Sequence, residues 1–282
     1  MLSNLKGYYR PKSIATALGL LDKEAGSVLL IAGGTKLNLT DDPSVKELVD
    51  ITCLPLNYIK ENLGEFRIGA TTTLQCLAES PVLGSSSAHI IPKAALLSNH
   101  SRMIRNVSTL GGELVTTGSL SVLYCALITL QAQVRIAGGE EFALPMNIFL
   151  DKKGLGGGVL VETIVPKTTV PSYSAIAPIL NDRGKPMLCV CARISVKKGA
   201  FHDTKIAITG TAGMPKRIRV VEKELNGRQL NEAIIIQAAD AAYEAYHPAT
   251  DKFASEEYRK EVCHLVVKRA LLDCLEQVME DF

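Results

Sequence analysis

Polar and apolar positions along the chain change period several times, and the changes predict the elements. Helical spacing runs from about Ser13 to Glu24, a turn follows at Ala25-Gly26-Ser27, and the apolar run Val28–Ala32 reads as a strand leading straight into Gly33-Gly34-Thr35. Together these predict a small βα subdomain ending near Asp50-Ile51. A second strand, Phe66–Ala70, precedes Thr71-Thr72-Thr73, where a hydroxyl is placed to cap a helix carrying Leu74, Leu77 and Ala78. A longer helical stretch is expected from about Pro92 to His100.

After Ile104–Ser108 comes a second glycine-rich segment, Thr109-Leu110-Gly111-Gly112, read as a turn. An apolar helix around Leu120–Leu130, the strand Ala132–Ile136, an exposed polar loop over Asp151–Gly158 and the strand Val159–Val165 follow. Pro166 and Pro171 bracket a short polar stretch that suits a domain boundary. Beyond it, strands at Met187–Val196 and Lys205–Gly210 give way to helices at about Arg219–Leu225, Asn231–Tyr246 and Glu256–Val278. The pattern is α+β, its last part a sheet covered by a helical bundle. The expected organisation is residues 1–168, with subdomains of about 1–54 and 55–168, followed by 169–282.

With 282 residues, 47 % of them apolar, the chain can bury cores for two domains. Its 31 basic and 29 acidic residues are interspersed to a net charge of +2, so no single-sign field is available for nucleic acid or an anionic membrane. The stretch Met1–Arg10 lacks the apolar centre of a signal peptide and no run is long enough to span a bilayer; a cytoplasmic protein is expected. Cys53, Cys76, Cys125, Cys189, Cys191, Cys263 and Cys274 sit mostly in apolar runs, which favours reduced, buried thiols over disulfides. Cys189-Val190-Cys191, read as strand, is expected to send its two sulfurs to opposite faces, so that they do not chelate one metal. His89, His100, His202, His247 and His264 show no metal-ligand spacing, and no acid/base pair for substrate chemistry stands out. No metal site and no catalytic side chain are assigned.

The informative chemistry lies in Leu30-Ile31-Ala32-Gly33-Gly34-Thr35-Lys36-Leu37. Consecutive glycines after a buried strand let main-chain N–H groups converge on an anion with no side chain in the way, as in a pyrophosphate cradle. The segment lacks the spacing of a Rossmann loop or a P-loop, and a glycine pair ending a strand is also an ordinary structural turn. Thr109-Leu110-Gly111-Gly112 repeats the device, a threonine hydroxyl beside a glycine pair, so that two such loops are able to grip one diphosphate.

In order and spacing, Ala32–Leu37 and Ile104–Gly112 match two loops of a known family, usually Ala-Gly-Gly-Thr-Asp-Leu and, after Ile-Arg-Asn, Thr-Ile-Gly-Gly-Asn. Over nearly its whole length the chain resembles the FAD-binding (medium) subunits of xanthine dehydrogenase, carbon monoxide dehydrogenase and related molybdenum hydroxylases. Pro215, Glu222, Leu225 and Gly227, then Pro248, Asp251, Ser255, Tyr258 and Arg259, are similar to that family's flavoprotein C-terminal domain.

The resemblance implies a two-subdomain FAD-binding fold with FAD extended between the subdomains. The implied binding residues are Leu30, Ile31, Ala32, Gly33, Gly34, Thr35, Lys36 and Leu37 on one side, and Thr109, Leu110, Gly111, Gly112, Glu113, Thr116 and Ser121 on the other, with Leu160 against the flavin. It also implies an electron-transfer role: electrons arrive from a [2Fe-2S] small subunit fed by a molybdopterin-type large subunit, and leave to NAD or another acceptor.

The departures are Lys36 for an Asp, Glu113 and Thr116 for two Asn, and Val122 where many relatives carry an Asp. Glu113 opposes a diphosphate unless Lys36 or Arg105 neutralises it. These substitutions motivate an alternative, a scaffold or adaptor subunit with weakened or lost flavin binding. An independent flavin oxidase would need catalytic side chains over the ring, and none is identified. The double substitution Gly34→Val with Gly111→Val is expected to remove FAD without unfolding the chain.

Overall fold

The computed structural model describes residues 4–22, 26–36, 42–84, 86, 88–116, 118–138, 142–149 and 157–281. The chain begins with β1 (Gly7–Tyr9), α1 (Ile14–Leu21), β2 (Val28–Ile31), β3 (Glu47–Asp50), β4 (Ile59–Glu61) and β5 (Glu65–Gly69). Short helices follow: α2 (Leu74–Ala78), α3 (Pro81–Gly84), α4 (Ile90–Ser98), α5 (Arg102–Arg105), α6 (Leu110–Val115) and α7 (Val122–Thr129). Next come β6 (Gln133–Ala137), β7 (Phe142–Pro145), α8 (Met146–Phe149), β8 (Val159–Pro166) and β9 (Ser172–Leu180). The chain finishes with β10 (Pro186–Lys197), β11 (Ala200–Phe201), β12 (Lys205–Ile208), β13 (Lys216–Arg217), α9 (Arg219–Leu225), α10 (Glu232–Ala245) and α11 (Glu256–Glu280).

Packing divides the α+β chain into two compact units. The first comprises Met1–Leu77, Ser101–Thr116 and Ala132–Val165; the second comprises Ala78–His100, Thr117–Gln131 and Pro166–Phe282. The Asp151–Gly158 loop reading falls almost entirely on residues outside those described.

In the first unit, β1, β3 and β2 form a parallel sheet in that order, with Ile31 opposite Asp50. Ser13 starts α1 by accepting a hydrogen bond from the Thr16 amide at 3.1 Å. Ala17 of α1 and Val49 of β3 pack in one core with Leu54, Leu56, Val159 and Val161. A second sheet runs β4-β5-β8-β6-β7. Its central strand buries Glu162, which accepts from Tyr58 Oη at 2.5 Å and Arg135 Nε at 2.9 Å. A buried carboxylate needs such partners. Burial and the adjacent Glu162 carboxylate together push the Tyr58 hydroxyl up to about 12.

In the second unit, β10 pairs antiparallel with β9, β11 and β12, and β13 extends the sheet beyond β12. Period-two alternation along β10 sets its two faces. Leu188, Val190, Ala192 and Ile194 pack with Ile235, Ala239, Val267 and Leu271 of α10 and α11.

The intervening residues face the other way, and here the cysteine reading needs correction. Side chains two apart in a strand share a face, so Cys189 and Cys191 lie on the same side, toward α7. Thr129 Oγ1 donates to Cys191 O at 3.3 Å, and the Cys125 and Cys191 thiols are neighbours. Burial pushes both thiols up. All seven cysteines are free; Cys53 and Cys76 are exposed and the other five buried. Among the described residues no group of three or more His, Cys, Asp or Glu is placed to hold a metal ion.

Candidate functional site

The first glycine segment leaves the sheet at the end of β2, where the Ile51 amide donates to Ile31 O at 2.9 Å. Gly33 then passes so close to the chain before α6 that an added Cβ would lie 1.7 Å from the Val107 carbonyl oxygen. No side chain fits there. Gly34 follows with φ +65°, in the left-handed region. Among the described residues, the amides of Gly33, Gly34, Thr35 and Lys36 donate to no protein acceptor. Four consecutive N–H groups at one bend with no acceptor among the described residues are the kind of arrangement that suits an anion.

The second segment is not the turn read from its glycines but the first turn of α6. Thr109 caps it by accepting from the Gly112 amide at 3.1 Å, while Leu110 and Leu114 are fully buried beneath it. Cap and packing outweigh the helix cost of two glycines, about 1 kcal/mol each.

The amides of this segment are already used. Leu110 N donates to Thr72 O and Gly111 N to Ala70 O, each at 2.8 Å, and Gly112 N to Thr109 Oγ1. Gly111 serves packing: a Cβ there would stand 2.9 Å from Ala70 O and 3.0 Å from Ala70 Cβ. Valine at 111 therefore strains the fold as well as the site, contrary to the expectation for the double substitution.

The structure brings the two segments against each other. Thr35 Oγ1 and Ser108 Oγ are 3.0 Å apart, and Lys36 Nζ donates to Glu113 Oε2 at 2.9 Å. Lys36 therefore pairs with Glu113, and the Arg105 Nε donates to Gln75 Oε1 at 2.8 Å.

Between the segments runs a cleft with a polar and an apolar half. The polar half is lined by Gly33, Gly34, Thr35, Lys36, Ser108 and Glu113, the apolar half by Ile51, Ala70, Gly111, Val115 and Leu160. Leu30, Ile31, Ala32, Thr109, Gly112 and Thr116 line both. Leu110 points into the core instead. Ser121 belongs to the second unit, where it caps α7 by accepting from Tyr124 N at 3.3 Å. Leu37 lies outside the described residues.

Sequence reasoning missed Ser108, Ile51, Ala70 and Val115. Ser108 had a readable signal, a hydroxyl beside the Thr109 segment; the other three carry only apolar surface. Among the described residues, Lys36 and Glu113 are the charged residues lining the cleft, and they pair with each other. Unpaired amides suit a diphosphate, and the Leu160 side offers an apolar wall to a ring system; FAD fits this donor set.

Comparison with known proteins agrees. The family model described as the FAD binding domain in molybdopterin dehydrogenase matches residues 3–168, and that of the CO dehydrogenase flavoprotein C-terminal domain matches residues 182–274. The uncharacterized protein YgfM of Escherichia coli is 28 % identical over 276 residues, covering 96 % of each chain. The carbon monoxide dehydrogenase medium chain of Hydrogenophaga pseudoflava is 27 % identical over 94 % of this chain and 95 % of its own. In structure, carbon monoxide dehydrogenase from the same organism superposes with a TM-score of 0.89 at 25 % identity, covering 98 % of this chain and 99 % of the other. Among the described residues no helix is long and apolar enough to cross a membrane. The chain belongs to the FAD-binding family of molybdopterin dehydrogenases, as a medium-type, oxidoreductase subunit.

Proposed function

We propose that this chain is the electron-transfer subunit of a cytoplasmic molybdenum-hydroxylase-type complex. When bound, FAD supplies the redox chemistry, accepting electrons from [2Fe-2S] clusters of a small subunit, itself fed by a molybdopterin-type large subunit, and passing them to NAD or another acceptor. The observation that carries the reading is the run of unpaired amides at Gly33–Lys36, held against the Thr109–Glu113 segment.

The protein's own part is binding and orientation. Gly33, Gly34, Thr35 and Lys36 hold the diphosphate through main-chain N–H groups, and Thr109 and Thr116 border it with hydroxyls. Gly111 and Gly112 keep side chains out of the cleft, and Leu30, Ile31, Ala32 and Leu160 wall its apolar side. The Lys36–Glu113 pair favours this reading over a flavin-free scaffold, because it cancels the carboxylate that would otherwise repel a diphosphate. We assign the boundary between FAD-binding and C-terminal domains to about residue 168, supported by the extents of the two family matches.

Flavin absorbance of the purified protein, before and after incubation with FAD, tests the assignment. A folded, colourless protein that takes up no FAD overturns it. The partner reading is checked by affinity purification from the native source: an iron–sulfur protein and a molybdopterin protein are expected to co-purify, and recovery of the chain alone under gentle conditions counts against it.

A further inference from the structure

The longest helix of the second unit, α11, covers β9 and β10 with one face and shows the other to solvent. Cys263, Val267, Leu271 and Cys274 are buried in the core it shares with β10. On the opposite side run Tyr258, Leu265, Leu272 and Met279, each seven residues after the last. Seven residues fall only about 20° short of two whole turns, so the four line up as one stripe. Tyr258 is 43 % exposed, Leu265 56 % and Met279 73 %, and Leu272 is half-buried. The solvent side of a helix that covers a sheet is ordinarily polar, and an aligned row of exposed large apolar side chains marks a packing surface instead.

Glu261, Arg269 and Glu276 share the stripe, each within about 40° of Leu265 around the helix axis. Among the described residues Arg269 has no ion-pair partner, and Glu261 has only a hydroxyl, Tyr243 Oη at 3.1 Å. These charges decide what covers the stripe. In an antiparallel pair of identical helices, residues equidistant from the two-fold axis on either side stand at the same height. With the axis at Leu265, each Glu261 is level with Arg269 of the other copy, and each Tyr258 with Leu272. Pairing all four apolar positions instead, Leu265 with Leu272 and Tyr258 with Met279, brings Glu261 level with Glu276, two like charges in a closed contact. A parallel pair sets every charge against itself. One arrangement is thus self-complementary in both shape and charge.

We propose that this stripe is a self-association surface, occupied by α11 of a second copy of the chain in the antiparallel arrangement centred on Leu265. A single helix pair buries less than the roughly 800 Å² per partner of a standard interface, so the dimer is reversible, with a dissociation constant on the order of 10 µM. The stripe lies wholly in the second unit and contains no residue of the flavin cleft.

The test is sedimentation velocity of the full, FAD-loaded chain from about 1 to about 100 µM. Wild type is expected to pass from monomer to dimer over that range, and a chain that stays monomeric overturns the proposal. Leu265→Glu, which sets two carboxylates together at the axis, is expected to weaken association about tenfold or more. Glu261→Arg and Arg269→Glu each turn both attractive pairs into repulsive ones and are expected to weaken it about fivefold. The double variant restores opposite charges and is expected to return to within about twofold of wild type. Two substitutions that merely damage the fold would not repair one another, so this rescue separates interface from structure. Dimerisation indifferent to the substitutions, or a double variant as weak as the singles, overturns the proposal.

Discussion

The flavin cleft of the first unit and the cluster around the buried Arg193 of β10 in the second both contain hydrogen-bond donors that the fold leaves over, but they are built from different material. In the cleft the donors are main-chain amides, bared because Gly33 and Gly34 carry no side chain. In the cluster the donor is a side-chain nitrogen, the Arg193 Nε, on a guanidinium held by Gln131 and Asp203. A main-chain site cannot be deleted by truncating a residue; it is lost only when something is added. A side-chain site behaves in the opposite way. The two regions are therefore separable by opposite kinds of substitution.

The largest effect is expected from adding bulk to the cleft. In Gly33→Val the new side chain begins 1.7 Å from the Val107 carbonyl oxygen, so the two segments must part. We expect loss of bound flavin together with a fall in unfolding free energy of about 3 kcal/mol, the upper range of overpacking. Flavin absorbance and urea unfolding read the two consequences. Normal flavin content in this variant would show that contact between the segments is dispensable. Gly34→Ala, which meets only the Ile31 side chain at 3.3 Å but must hold φ +65°, is the milder control at about 1 kcal/mol.

Removing a side chain from the arginine cluster comes next. Arg193→Met takes the partner from Gln131 and one of the two cations from Asp203, at an expected cost of about 1–3 kcal/mol. Flavin content is expected to stay at the wild-type level, because no cleft residue is touched. A variant that loses flavin in proportion to its stability would mean that the two regions are not independent.

This division also explains what was legible in the sequence. The cleft was readable because Ala32–Lys36 and Thr109–Gly112 each set a threonine beside a glycine pair, a local signal that the Gly138-Gly139 and Gly156–Gly158 runs do not share. The long apolar periods that became α10, α11 and β10 were equally plain. What failed was of two kinds. Thr109–Gly112 became a helix because Leu110 and Leu114 are buried by residues distant in the chain, which a local glycine signal cannot register. Strands β1, β4, β11 and β13 span only two or three residues, too short to display a period. The arginine cluster left no trace, since Gln131, Arg193 and Asp203 are separated in sequence and each is an ordinary residue until the fold sets it against the others.

A smaller effect should come from the ion pair at the rim of the cleft. Lys36 is 43 % exposed and its partner Glu113 only 10 %, so the pair itself contributes modestly to stability while setting the charge beside the diphosphate. Lys36→Ala uncovers the carboxylate and is expected to weaken FAD binding about two- to fivefold. Glu113→Gln uncovers the cation and is expected to strengthen binding by a similar factor, with the double variant near wild type. Fluorescence titration with FAD at low and high salt measures all three. Equal affinities across the set would show that the pair lies outside the electrostatic reach of the cofactor.

The smallest effect concerns pH and belongs to the arginine cluster. Burial alone would raise the Asp203 carboxyl, but its bond to Lys205 and the Arg193 guanidinium outweigh burial and hold it below the ordinary carboxylate range. A carboxyl lower in the folded than in the unfolded chain stabilises the fold above the unfolded value, and that contribution disappears as pH falls through the folded one. Wild type should thus exceed Asp203→Asn in unfolding free energy near neutrality. The margin is on the order of 0.5 kcal/mol, small because the aspartate is 41 % exposed to screening solvent. Below about pH 4 the margin should shrink as the carboxylate protonates. Urea unfolding at pH 6 and pH 3.5 compares the two proteins. A margin unchanged by acid would mean that folding does not shift the Asp203 carboxyl, and that its ion pairs with Arg193 and Lys205 add nothing measurable to stability.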